Sequence, residues 1–219
     1  MTILDGPRAA AKSGEAKSLV ILLHGYGADG NDLIGLAGPL SGALSDTEFV
    51  SPNAPEPCRM SPMGRQWFPI SYLDGSTEEE MRAGAERAAE ALDAFIDAEI
   101  ARSGLPASKV ALMGFSQGTM MSLHVGPRRA DALAGIVGFS GRLLEPERLE
   151  ADMRSKPPVL LIHGTADPVV PFDSLALAED GLSAAGIAVE TVARPGLGHG
   201  IDERGMVAAA QFLMPRFAA

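Results

Sequence analysis

The sequence predicts an α/β protein with a mostly parallel central sheet and helices on both faces. Two observations carry that prediction. Short apolar runs recur without polar alternation, as in strands covered on both sides. Longer segments with helical spacing separate them, so strand and helix alternate along the chain with right-handed crossovers. The length of 219 residues suits one domain, 1–219, with 1–18 as a peripheral N-terminal segment and little room for a cap domain.

The first strand candidate is Leu19-Val-Ile-Leu-Leu23, which ends in His-Gly. Glu48 to Ser51 is weaker and stops at Pro52. Lys109 to Gly114, Ala132 to Phe139, Pro158 to Ile162 and Val189 to Val192 come next. The clearest helix is Thr77 to Ser103, where Met81, Ala85, Ala88, Leu92, Phe95, Ile96 and Ile100 step by three or four. Ser76 with Glu79, or Thr77 with Glu80, fits a capping box, and Gly104 with Pro106 fits the stop. Further helices are expected over Asn31 to Leu44, Gln117 to Val125, Asp173 to Ala185 and Gly205 to Phe212. Pro52 to Gly75 reads as a long irregular stretch, and such loops are usually functional.

Charge and composition exclude several classes. Lys+Arg is 18 against Asp+Glu 28, a net charge of −10, which opposes nucleic-acid binding and charge-driven docking on anionic lipid. The longest apolar runs fall far short of the ~20 residues that span a bilayer, so no stable membrane insertion is expected. Met1 to Ser18 lacks the apolar core of a signal peptide, and the expectation is a cytoplasmic protein. The single cysteine, Cys58, rules out an internal disulfide or a cysteine zinc cage. It lacks a nearby histidine and reads as inert.

Gly114-Phe-Ser116-Gln-Gly118 carries the chemistry. It matches G-x-S-x-G between a strand run and a helix, the context of a nucleophile elbow. Glycines are needed where flanking side chains would collide, and the helix after the serine aims its first N–H groups at a forming oxyanion. Gly138-Phe-Ser140-Gly-Arg142 repeats Gly-Phe-Ser without the second glycine in place or a clear helix after it, so Ser140 reads as a loop serine. A serine hydroxyl needs a base. With the order serine, acid, histidine, His24 and His163 lie on the wrong side of the acid, and His124 points away from the elbow. His199 in Gly196-Leu-Gly-His-Gly200 remains. Asp167, just past the strand at Pro158 to Ile162, is the acid; Asp173 is the runner-up but suits a helix cap. The backbone N–H groups of Gln117 and of Tyr26, in His24-Gly-Tyr-Gly-Ala28, are the oxyanion donors, with His24 ordering that loop. Met60, Met63, Trp67 and Phe68 form a candidate substrate wall; the alternative is that they pack the loop onto the core.

Those motifs, with His163-Gly-Thr-Ala-Asp-Pro-Val-Val-Pro171, resemble the phospholipase/carboxylesterase family of α/β-hydrolases, which includes bacterial carboxylesterases and acyl-protein thioesterases. The resemblance runs from about Leu19 to Phe212. It implies an α/β-hydrolase fold, Ser116, Asp167 and His199 as the triad, and the Tyr26 and Gln117 amides as the oxyanion hole. It also implies no metal, no organic cofactor and frequent homodimers, and it sets Leu73 to Glu78 near the entrance. Members commonly carry leucine where this chain has Tyr26, whose side chain would narrow or polarise the acyl pocket.

The leading expectation is a serine carboxylesterase acting on small-molecule esters through an acyl-enzyme. A second keeps the triad but takes protein thioesters or lysophospholipids. A third, of another class, is a non-catalytic binding module on a hydrolase fold.

Overall fold

The computed structural model describes residues 3–218. The strands β1 (Arg8–Ala9), β2 (Ser18–Leu23) and β3 (Thr47–Val50) come first. Then β4 (Glu56–Pro57) and β5 (Arg65–Gln66) pair only with each other, apart from the main sheet. The strands β6 (Val110–Phe115), β7 (Gly135–Phe139), β8 (Val159–Gly164) and β9 (Val189–Arg194) complete a seven-stranded sheet in the order β1-β3-β2-β6-β7-β8-β9. Every pairing in it is parallel except β1 with β3.

The unbroken apolar run of β2 has a direct explanation in packing. Leu19, Ile21 and Leu23 face one core, and Val20 and Leu22 face the other. All five are fully buried, and burying each contributes about 1.5–3 kcal/mol. The first core is covered by α4 (Glu78–Ser103) and α5 (Gln117–Val125), whose Ala88, Leu92, Ile96 and Met121 pack into it. The second is covered by α1 (Gly30–Ile34), α2 (Ala37–Leu40) and α8 (Glu203–Ala218). A third cluster joins α5 to α6 (Pro146–Asp152) and α7 (Asp173–Ala184) over β7 and β8.

The chain turns from β2 to β3 on one side of β2, then returns through α4 to β6 on the other. The crevice beyond the carboxyl ends of β2 and β6 is therefore a topological switch point, where open α/β sheets bind ligands. Leu23 lies opposite Gly114 in that register, so the loops after both strands emerge side by side.

Several elements differ from expectation. The helix expected over Asn31 to Leu44 is two short ones, α1 and α2. A continuous helix would place Pro39 in its interior, where it removes a donor and collides with the carbonyl four residues back. Restarting at Ala37 puts Pro39 in a first turn, where no N–H is required. The stretch Pro52 to Gly75 contains β4, β5 and α3 (Ser71–Asp74), which ends at Gly75 with φ 74°. No apolar periodicity marks α6 in the sequence, but its Pro146 occupies the favoured first-turn position. The α8 helix runs well beyond Phe212, and the Lys109 ammonium donates to the Phe217 carbonyl at 2.6 Å in its last turn. At α4 the capping box uses Thr77 and Glu80.

At the N-terminal end, Arg8 on β1 donates to Glu99 of α4 at 2.7 and 2.8 Å and to Glu48 of β3 at 3.0 Å. Arg102 joins the same two carboxylates. Both glutamates are buried, so the two arginines supply the opposing charge that burial demands. Among the described residues, no helix is long and apolar enough to cross a membrane.

Candidate active site

Ser116 stands between β6 and α5 with φ 53° and ψ −113°, a backbone conformation that L-residues avoid. Its neighbours explain the motif spacing. A Cβ on Gly114 would lie 2.3 Å from the Gly118 carbonyl carbon, and one on Gly118 would lie 1.8 Å from the Leu23 oxygen. Both glycines are required by backbone approaching backbone. The Ser116 N–H donates to the Phe139 carbonyl at 2.8 Å, which fastens the turn to β7.

Asp167 comes after β8 with its carboxylate wholly buried. Oδ1 accepts the N–H groups of Val169 (2.8 Å) and Val170 (2.9 Å). Oδ2 accepts from His199 Nδ1 at 2.8 Å. Burial alone would raise the carboxyl pKa, but the bonds from His199 and the two amides outweigh it and hold Asp167 below the usual range. An ionised acceptor requires the proton on His199 Nδ1 and leaves Nε2 as the free acceptor. The His199 ring packs on Phe115, with centroids 4.8 Å apart, and so stands beside the serine turn. Ser116 Oγ and His199 are not hydrogen-bonded in this structure; such contacts often tighten only with substrate bound.

The other histidines sit in other surroundings. His24 is buried; Nδ1 donates to the Gly25 carbonyl at 2.8 Å and Nε2 accepts from the Ala54 N–H at 3.0 Å. Both ring nitrogens are used, and burial lowers its pKa. His163 Nε2 lies 3.0 Å from the Val170 carbonyl and 3.3 Å from Asp167 Oδ2. Its hydrogen bond is to the Val170 carbonyl, and the carboxylate lies alongside without a hydrogen bond to it. His124 is buried in α5, where burial and the charges of Arg128 and Arg148 push its pKa down to about 4. Asp173 is the first residue of α7, and its side chain does not cap it, in contrast to the expected cap; the N-cap position belongs to Phe172.

The loop after β2 faces the serine turn. A Cβ on Gly25 would lie 3.1 Å from Phe115 Cδ1 and 3.5 Å from Ser116 Cβ. The next residue, Tyr26, and Gln117 at the first position of α5 have N–H groups that bond no protein acceptor among the described residues. For Gln117 helix geometry dictates this. The Gln117 side chain does something the motif does not reveal. Its Oε1 accepts from the Trp67 N–H and its Nε2 donates to the Phe68 carbonyl, both at 2.8 Å, clamping residues 67–68 to the start of α5.

The expected substrate wall is divided. Met60 and Met63 are exposed on the segment between β4 and β5, and Leu73 is exposed on α3. Ser61 of that segment approaches Gly27, so it lies against the loop after β2. Trp67 is 0% exposed and Phe68 1%, the burial expected of the alternative in which they pack the loop onto the core. The Trp67 indole donates to the His24 carbonyl at 3.0 Å and its ring lies 5.7 Å from that imidazole, so it supports the loop from behind. Phe68 borders a small apolar cavity with Met81, Ala85, His124 and Leu144. Cys58 is buried beside Gly27. Among the described residues, no three or more His, Cys, Asp or Glu side chains are grouped to hold a metal ion.

Comparison with known proteins agrees with this architecture. The family model described as Phospholipase/Carboxylesterase matches residues 4–215. A probable carboxylesterase from Oryza sativa is 33% identical over 92% of this chain and 78% of its own length. Acyl-protein thioesterase 1 from Neurospora crassa is 32% identical over 90% of this chain and 86% of its own. Among solved structures, esterase PE8 superposes with a TM-score of 0.92 at 46% identity, covering 97% of this chain and 99% of that one. Acyl-protein thioesterase 2 from Zea mays, at 23% identity and a TM-score of 0.77 over 97% of this chain and 99% of that one, shares the fold. A parallel sheet carrying a strained serine at its switch point, matched across nearly its whole length by this family, makes the chain a member of the phospholipase/carboxylesterase family of α/β-hydrolases.

Proposed function

We propose that this chain is a serine carboxylesterase hydrolysing short- to medium-chain carboxylic esters, with Ser116, His199 and Asp167 as its triad. His199 Nε2 takes the Ser116 proton as Oγ attacks the ester carbonyl. The N–H groups of Tyr26 and Gln117 stabilise the oxyanion. His199 then protonates the leaving alcohol, and the same nitrogen activates water to release the acid. Asp167 keeps the imidazole in the Nδ1–H tautomer and stabilises its protonated form. The observation that carries this reading is the 2.8 Å bond from His199 to a buried carboxylate beside a serine held at positive φ. We place the enzyme in the cytoplasm, acting on dissolved esters; the net charge of −10 and the single cysteine support this.

A fluorophosphonate probe with a p-nitrophenyl butyrate assay tests the reading. Labelling at Ser116 and ester turnover are expected; folded protein that neither labels nor hydrolyses is a binding module instead. The relative named acyl-protein thioesterase 1 favours a second reading, thioester substrates on the same triad. Comparing kcat/KM on an ester and a thioester of the same acyl group decides between them.

A further inference from the structure

The side chain of Tyr26 is not used by the triad, yet it makes a specific bond. Its hydroxyl donates to Asp74 Oδ2 at 3.1 Å, across forty-eight positions of sequence. Asp74 is itself held at both ends of α3. The Ile70 N–H donates to the same Oδ2 and the Ser76 N–H to Oδ1, each at 3.0 Å. These bonds and the left-handed Gly75 stop make α3 a preformed anchor. The other end of the link is equally fixed. Tyr26 comes directly after Gly25, which abuts Ser116 and Phe115, and Gly27 donates to the Arg65 carbonyl at 2.9 Å. The tyrosine ring, packed against the first core, therefore spans from the residue next to the nucleophile to the segment carrying exposed Tyr72 and Leu73.

Resting on the esterase reading above, we propose that the Tyr26 phenol and the Asp74 carboxylate form a crossbar that limits the acyl chain the site accepts. An ester carbonyl held by the Tyr26 amide would lie beside the residue that carries this ring. A chain that outgrows the space in front of the ring has to displace it, break a hydrogen bond to a charged acceptor and strip α3 of a partner. Short acyl groups escape that cost. The Tyr26 hydroxyl titrates above its ordinary range and Asp74 below its own, so the crossbar stays closed through neutral pH.

The test measures kcat/KM for p-nitrophenyl acetate, butyrate, octanoate and laurate, each variant normalised to its own butyrate value. Tyr26→Phe removes the bond and keeps the ring; Tyr26→Leu removes both; Asp74→Ala removes the anchor. The octanoate-to-butyrate ratio should rise by about tenfold in Tyr26→Leu and by less in Tyr26→Phe, with Asp74→Ala moving the same way. Fluorophosphonate labelling shows that each variant retains a formed site. Labelled variants that keep the wild-type chain-length profile in both Tyr26→Leu and Asp74→Ala overturn the crossbar. Wild-type protein that is folded but unlabelled and inactive on all four esters overturns the esterase reading instead.

Discussion

Two turns in this molecule share the tripeptide Gly-Phe-Ser and much of their geometry. Ser116 and Ser140 end neighbouring parallel strands and hold φ at 53° and 47°. Each donates its N–H to the next strand, Ser116 to Phe139 at 2.8 Å and Ser140 to Ile162 at 2.9 Å. They differ in the chain that leaves the serine. Gly118 lets α5 begin directly after Ser116, against the Leu23 carbonyl, and Ser116 is 9% exposed. Irregular chain leads away from Ser140, which is 1% exposed and whose hydroxyl has no hydrogen-bond partner among the described residues. A strained backbone at a strand end is thus not the mark of a reactive serine. A helix start with free N–H groups and a histidine packed alongside distinguish the Ser116 turn.

That contrast is open to direct attack. Ser116→Ala should lower kcat for p-nitrophenyl butyrate by about five to six orders of magnitude. Asp167→Asn should cost about four orders, because the tautomer of His199 is no longer fixed, while Asp173→Asn should leave rates near wild type. The reverse ranking in stopped-flow or endpoint kinetics would move the acid to Asp173. Thr119 links the two turns, since its hydroxyl lies 2.8 Å from both the Gly114 and Phe139 carbonyls. Thr119→Val should lower stability by about 1–2 kcal/mol in urea melts and disturb both turns. The smallest effect belongs to Ser140→Ala, which removes a buried unpaired hydroxyl and should change stability by less than about 1 kcal/mol while turnover persists. Loss of turnover there, with the fold intact, would erase the distinction between the turns.

Much of this architecture was legible where the physical constraint is local. The unalternating Leu19–Leu23 run predicts a strand buried on both faces, and the spacing of Gly114 and Gly118 reflects two backbone collisions. Asp167 and His199, joined in the structure by a hydrogen bond, were readable from their places after successive strands. The features that escaped depend on distant partners. Nothing near Trp67 in sequence shows that its indole serves the His24 carbonyl, or that its backbone is clamped by Gln117. The Tyr26–Asp74 bond and the approach of His163 to Asp167 were equally hidden, because a motif names residue types and not their third contacts. The break between α1 and α2 was within reach, since Pro39 was visible inside the expected helix.

The two-residue strand at Arg8–Ala9 also has a consequence for how copies of the molecule behave together. It occupies the outer hydrogen-bonding edge of β3, the flank on which a parallel sheet would otherwise end in open N–H and C=O groups. An uncovered edge of that kind is a template for strands from other copies. Arg8 holds the cover in place by charge, through Glu48 and Glu99, so the cover is as strong as that ion cluster and weakens when its carboxylates are protonated. A chain shortened past Ala9 would gain an adhesive border and would also lose the Asp5 and Pro7 carbonyls, which accept from the Asn53 and Ser51 N–H groups. Self-association along the bared flank of β3 is the failure to expect of such a chain.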